Sequence, residues 1–587
     1  LSRILKEAEV SSVPSFNRFR KAQANLHQQC GVPTLKCQSA QGNIFYMNDP
    51  QTIITKDWAN PLVRPHIQVY PEIPDGPITE VWHAEKWRKD MDLSLLSPMY
   101  DAGNRHFYVN EVAKMCNGQL VIPLRWVTYR GKTHADAFAV ELHDNGTASV
   151  LDQESIFIQA KNLDYNYLDL QALDQLPHWC TDTVSKGYPT HMPNPDHALA
   201  QGDPLYTSSV DHFSDDVSGN HSKSWNKHWN TYMTHRNLPR QFLQQDSPNA
   251  SITEQFYDFK QIVEYMHYHL SLFSNLRFGL NDADLLILPL FMYVMNRVGM
   301  QHAFAFLILE AGGICTVASA MLVVQIKTRK AMKGFTHCSA GISRTKVNVL
   351  NELQTQVALA CRGVTQPIKD CQTATGMKDA YTQFWIEDLI SRAREMRRTQ
   401  PSQSVQEIQQ ELMSWVKDND AQIYNPFLTL QGLLIIICCL DPTQDTPVEI
   451  LHTILLGIVK YIWYGTHSTW SLAQKQTFAL RLQATNTEAN YIMQYANSLI
   501  GRQLKTVIQA TIFHIHDLLW KAVGQLTALL WFPEIADLQQ YLADIDVAVA
   551  NVLDTFAEID PTKIIQKIKL HLLTHLHKDI LRFGPLV

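Results

Sequence analysis

LVIPLRWVTYRG (120–131), HADAFAVELHDNG (134–146) and TASVLDQESIFI (147–158) follow one another almost without interruption. Each run is short, and the first and third are rich in β-branched and aromatic residues, which suit a pleated, half-buried surface. Gly131 and Asn145-Gly146 punctuate them, and such residues enter the left-handed conformations that tight hairpins need. The pattern predicts a β-meander forming a small structural β-module over residues 106–165. Upstream, residues 1–105 read as a helical start followed by irregular chain. VRPHIQVYPEIPDGPITEVWHAEKWRKDMDLSLLSPMYDAG (63–103) is rich in Pro, Trp and Asp, and predicts loops pinned by Trp82 and Trp87.

Downstream the periodicity changes. Residues 200–275 offer one strand, LYTSSVDHF (205–213), among polar loops. Residues 341–425 turn helical. Val347, Leu350, Leu353, Val357 and Ala360 follow three-four spacing, and Ser404 with Glu407 makes a capping box ahead of Ile408, Leu412, Trp415 and Val416. Residues 441–587 continue helical: Val448–Trp463, the 480s–500s, 505–532, 536–558 and 562–577. The expected class is α+β, mostly helical. Two stretches stand apart, 285–326 within an apolar segment at 276–340, and LLIIICCL (433–440). A span needs roughly 20 apolar residues. Pro289, Asn296-Arg297 and Glu310 interrupt the first stretch and argue against a membrane hairpin. A buried core helix or translated non-coding sequence are the other readings.

The chain has 587 residues and a formal net charge of −6. That balance gives no general pull on nucleic acid, so Lys327–Lys333 or Arg392–Arg398 would have to supply it locally; both equally suit solvated helix faces. Ten cysteines at irregular spacings make no disulfide framework. Cys30 and Cys37 lack a second pair for a zinc site. The first residues carry no apolar leader run. The expectation is an intracellular protein, nuclear or cytoplasmic and not secreted. No GxxxxGK or GxGxxG loop occurs, so no nucleotide cofactor is expected.

YPEIPDGPITEVWHAEKWRKDMD (70–92), DPLYTSSVDHFSDDVSGNHSKSWNKHWNTYMTHRNLPR (203–240), DPTQDTPVEILHTILLGIVKYIW (441–463) and KIKLHLLTHLHKDILRFGPLV (567–587) resemble the transposase-like proteins of fungal Plavaka transposons, kin to CACTA-type elements. The resemblance covers most of the chain and fails over 275–336 and 432–440, the apolar regions; we therefore read those as intron-derived or frame-damaged sequence. It implies an RNase H-like DDE nuclease core with a helical insertion, acting on transposon-end DNA. It also implies Mg²⁺ or Mn²⁺ held by three carboxylates, with assembly into oligomers left open. The first acid would be Asp215 or Asp216. The second belongs to the lost segment. The third would follow Gly584-Pro585, and the sequence ends at Val587. Glu449, one turn from His452, is a possible substitute. The chain then reads as a degenerate, truncated copy that no longer cleaves DNA. As bare residues, Asp215-Asp216 with Ser218-Gly219-Asn220 suggest a polar turn, and Glu449 an exposed acid in a helix's first turn.

Two other constellations compete. THCSAGISRT (336–345) places Cys338 and Arg344 in the Cys-x5-Arg spacing of a phosphatase loop, where Cys338 would attack and Arg344 would cradle phosphate. The preceding AMKGFT is not an apolar strand, and 285–337 offers only Glu310 as an acid. His571, His575 and His577 suggest a metal-binding helix, but Leu572 stands where HExxH needs its Glu. They read instead as a polar stripe on an apolar helix.

Overall fold

The computed structural model describes residues 32–38, 44–216, 229–243, 252–256, 294–295, 318–319, 342–424, 444–445, 447–484, 489–560, 563–564 and 567–586, with a few positions before 26. The three quoted runs form the antiparallel strands Leu120–Tyr129, Lys132–Leu142 and Thr147–Gln159. Arg130 and Gly131 both take positive φ, 50° and 65°, and close the first hairpin in two residues. At the second turn Asn145 Oδ1 accepts from the Thr147 N–H at 3.0 Å. The sheet has seven strands, reaching beyond 106–165 to include Glu72–Ile73 and His178–Trp179, each paired in parallel. Register shifts between Pro123 and Arg125 and between Ala137 and Ala139 twist the long strands. Two apolar clusters result: one holds Trp126, Ala135, Ala137 and Ile158, the other Ile122, Val140, Ala148 and Val150.

A second sheet has six strands in the order Thr34–Gln38, Ile44–Asn48, Ile252–Phe256, Trp229–His235, Val210–Asp216, Val294–Met295. The last pairing is parallel and the others antiparallel, so the sheet is mixed. Two expectations are corrected. The N-terminal region contributes strands, because TLKCQ and IFYMN meet a partner some two hundred residues away, Tyr46 opposite Gln255. The expected strand 205–213 begins at Val210 and runs on to Asp216, since Trp229–His235 pairs with it along its full length.

The helix Lys346–Ala360 buries Val349, Leu353, Gln356, Val357 and Ala360, while Val347 is exposed. Val349 begins the buried stripe because it shares a core cluster with Leu353, Val357 and Ala360, and Thr345 caps the helix ahead of it. Buried Gln356 is satisfied by donating to the Met377 carbonyl at 2.9 Å. The capping box forms as expected: the Glu407 N–H donates to Ser404 Oγ at 3.2 Å and the Ser404 N–H to Glu407 Oε2 at 2.6 Å.

The C-terminal region is a helical assembly around Ile458, Trp463, Leu504, Val523, Ile545 and Val552. The expected helix 505–532 is two, Gly501–His514 and Leu518–Leu530. Asp517 divides them by accepting from the Leu519 and Trp520 N–H groups, which stabilises a new helix start.

Candidate functional site

The most built polar site lies where the stretches quoted for the resemblance meet. Lys86 leaves a short helical turn made of KWRKD, and Asp445 lies just ahead of the helix Ile450–Val459. Arg582 sits on the helix Leu576–Phe583, which ends where Gly584 takes φ +79°. Lys86 Nζ is 2.6 Å from Asp445 Oδ1, and Arg582 Nη2 is 3.3 Å from the same oxygen. Arg582 Nε lies 2.8 Å from Asp90 Oδ2, and Nη1 donates to the Gln444 carbonyl. Asp445 is wholly buried; Lys86 and Arg582 are nearly so. Beside them Asp579 accepts from the Val448 N–H at 2.7 Å. Burial pushes its carboxyl up to about 7, against the pull of that N–H and of Arg582. Val81, Trp82, Trp87, Met91, Leu95, Leu96 and Phe583 make the apolar floor. A cleft with about 270 Å³ of empty space, mouth included, opens next to it between Glu80, Arg236, Arg240 and Pro585. Glu80 Oε2 accepts from the Arg240 N–H there at 3.1 Å. The arrangement joins four distant parts of the chain; Thr79 also lines the cleft, with its hydroxyl 3.5 Å from His83 Nδ1, and His83 Nε2 lies 3.3 Å from Glu72 Oε2.

Glu449 corrects an expectation. It is buried and is the N-cap of its helix, not an exposed acid inside the first turn. Its Oε1 accepts from the His452 N–H at 2.5 Å and the Thr453 N–H at 3.0 Å, and lies 3.3 Å from His452 Nδ1. Lys569 Nζ donates to the His452 carbonyl at 2.7 Å. Burial lowers the Lys569 ammonium to about 8, with Glu449 opposing the shift. Asp215 and Asp216 occupy the last two positions of the strand Val210–Asp216, opposite Asn230 and Trp229. They are strand residues, not a turn, because the ladder continues to its final pair.

Arg344 is buried and donates from Nη2 to the Thr375 carbonyl at 2.7 Å, steadying the end of the helix Gln366–Thr375. Cys338 lies outside the described residues, as do Cys30, Lys327–Lys333, both apolar stretches apart from Val294–Met295 and Ala318–Ser319, and the acid Glu310. Among the described residues no helix is long and apolar enough to cross a membrane. The Arg392–Arg398 run is engaged within its own domain. Arg392 pairs with Asp388 at 2.6 Å and lies over the Trp415 ring, Arg398 pairs with Glu395, and Arg394 and Arg397 donate to the Gly363 and Arg362 carbonyls.

The three histidines also separate. His577 is half exposed and 2.9 Å from Asp546. His571 and His575 are buried with ring centroids 5.2 Å apart. Burial lowers the His571 imidazole, and burial with His571 and Lys578 nearby lowers His575 to about 4. The sign follows. Below about pH 6.5 the unfolded chain takes up protons that the folded rings refuse, so stability present above that pH is lost as pH falls toward 4. In urea unfolding the chain should lose roughly 3 kcal/mol more between pH 7 and pH 4 than His575→Leu does. Parallel pH profiles for the two would show that His575 titrates normally.

Sequence reasoning missed the Asp445 network and a second buried pair. Asp57 Oδ2 and His235 Nδ1 lie 3.3 Å apart beneath Trp58, which stacks on Tyr206 and donates to Ser208 Oγ at 2.8 Å. All are well buried except Tyr206, so this cluster ties the helix Pro50–Ala59 to the mixed sheet. No spacing rule reaches across 150 residues, and Asp57 and Trp58 lie outside the quoted stretches.

Residues 99–206, the bulk of the β-module, match a family described as a domain of unknown function (DUF8591). No curated protein matches the chain.

Proposed function

We propose that the chain is a degenerate DNA-transposase-derived protein of the fungal Plavaka type whose mixed sheet is the remnant of an RNase H-like core. The observation that carries this reading is the setting of Asp215-Asp216. They end a strand that has an antiparallel neighbour along its whole length and a parallel neighbour at Val210-Asp211. An antiparallel meander extended by a parallel strand on the first strand's other edge suits an RNase H-like sheet, and a carboxylate at that strand's end suits the first metal-binding acid. The junction of 70–92, 203–240, 441–463 and 567–587 supports it further: the stretches that carry the resemblance also pack together.

Metal-dependent strand cleavage would need three carboxylates around two Mg²⁺ or Mn²⁺ ions. Glu449 does not fit that role. Its Oε1 caps a helix, its Oε2 is buried without a hydrogen-bond partner, and the charge beside it is the Lys569 cation and not a second carboxylate. Loss of carboxylates from a two-ion site costs orders of magnitude in rate. Purified protein, incubated with labelled transposon-end DNA and Mn²⁺ or Mg²⁺, is expected to give no nicking or strand transfer. Cleavage that disappears in Asp215→Ala or Asp216→Ala would overturn the incompetence and leave the ancestry supported. Hydrolysis of an aryl phosphate that disappears in Cys338→Ser would replace the whole reading with a phosphatase, which the Arg344–Thr375 contact does not favour.

A further inference from the structure

Further along the sheet face that carries Phe138 and Val140 lies a group of rings that belongs to neither apolar cluster. His134 and Phe157 sit on neighbouring strands as diagonal partners, because His134 pairs with Gln159 and Phe157 lies two residues before it. Their rings are parallel to within 2°, with centroids 4.8 Å apart. Tyr129 presents an edge to both, at 5.8 Å and 6.1 Å. Val127, opposite His134 in the ladder, is buried in the same sheet. Phe157 keeps 45 % of its surface exposed.

The group is preorganised. His134 Nδ1 lies 2.9 Å from the Lys132 carbonyl, which can only accept, so Nδ1 carries the proton and the ring plane is held. Two cations flank it. The Arg130 guanidinium lies 5.1 Å over the Tyr129 ring, and exposed Lys132 is the direct cross-strand partner of Tyr129. Asp75 pairs with Arg130 at 2.7 Å, and Asp136, opposite Phe157, pairs with Arg125 at 2.6 Å; exposed Lys132 is the cation these carboxylates do not offset.

A half-exposed Phe157 ring, stacked on a partly buried His134 beside a partly buried Tyr129, with cations at the rim, matches the chemistry of a polyanion bearing planar aromatic groups. Every base offers a π-face to stack, and each phosphate answers a cation. A duplex hides those faces. We propose that Phe157, His134 and Tyr129 form a stacking platform for unpaired bases of single-stranded DNA, with Lys132 and Arg130 serving its phosphates. The platform uses no carboxylate and no metal ion, so a nicking result in either direction leaves it to its own test.

The probe is a fluorescein-labelled fifteen-residue oligothymidylate, followed by anisotropy against the full chain at low salt. Binding is expected, and Phe157→Ala should raise Kd about 5- to 150-fold, the range for loss of one stacked base. Because Phe157 is half exposed, its variant should melt with the wild-type chain. An abasic strand of the same length keeps every phosphate and should bind the wild-type chain at least as weakly as the variant binds the oligothymidylate. The proposal is overturned by no binding to the wild-type chain, by equal Kd for wild type and a folded Phe157→Ala, or by equal affinity for the abasic strand or a blunt duplex.

Discussion

Asp445→Ala should destabilise the folded chain by about 3–5 kcal/mol, far more than a surface charge would. Asp445 is wholly buried and lies between the Lys86 ammonium and the Arg582 guanidinium. Alanine removes the carboxylate and leaves two buried cations sharing a pocket with one negative charge fewer. Desolvation of those cations is then no longer offset by the attraction that held them. Urea unfolding at pH 7 measures the loss. A decrease under about 1 kcal/mol, the value of an exposed pair, would show that water enters the pocket. The double variant Lys86→Met, Asp445→Leu should recover much of the stability, since apolar residues of similar size commonly replace a buried ion pair without penalty. Recovery separates an unbalanced charge from a simple loss of packing.

Trp463→Ala in the C-terminal assembly should cost a similar about 3–5 kcal/mol, for a different reason. The indole is 1 % exposed and packs against Trp470 and Phe478 with centroids 5.8 and 5.7 Å away. Its Nε1 donates to the Ala496 carbonyl at 2.9 Å. Removing the ring opens a cavity that helices on several sides cannot all close. Trp463→Phe keeps most of the buried ring and gives up the hydrogen bond, which is worth about 1 kcal/mol. The expected order in thermal denaturation is wild type, then Phe, then Ala by a wide margin. Equal loss in both variants would place the stabilisation in the hydrogen bond and not in the packing.

Local features were legible in the sequence because their causes are local. The Arg130-Gly131 turn, the Ser404–Glu407 box and the buried Trp82 and Trp87 each depend on a few neighbouring residues. Errors arose where a distant partner decides. TLKCQ and IFYMN have no strand signal strong enough to override a helical reading until Ile252–Phe256 pairs beside them. Val347 fitted the apolar stripe as well as Val349 did, and only the packing of the helix against its neighbours chose between them. Asp517 looked like one polar residue in a long helix, and its capping role appears only once the backbone bends there. Glu449 read as exposed because nothing in DTPVEILH announces Lys569, more than a hundred residues on. Of the candidate site, the chemistry of single residues was visible and their company was not. Asp445, Lys86 and Arg582 stood in separately quoted stretches with nothing in the spacing to join them.

The contact between Arg582 and Asp90 spans 492 residues, and that between Lys86 and Asp445 spans 359. On a ribosome making about 5–20 residues per second, roughly 25–100 s pass between the appearance of Asp90 and that of its partner. Throughout that interval Trp82, Trp87 and Met91 wait for Phe583, the last side chain of their cluster. The β-module can close on itself early, since its hairpins join neighbours. The segment before it cannot. For that interval the nascent chain therefore carries an apolar, tryptophan-bearing strip without its final cover, a natural landing place for a chaperone and a natural cut site for a protease.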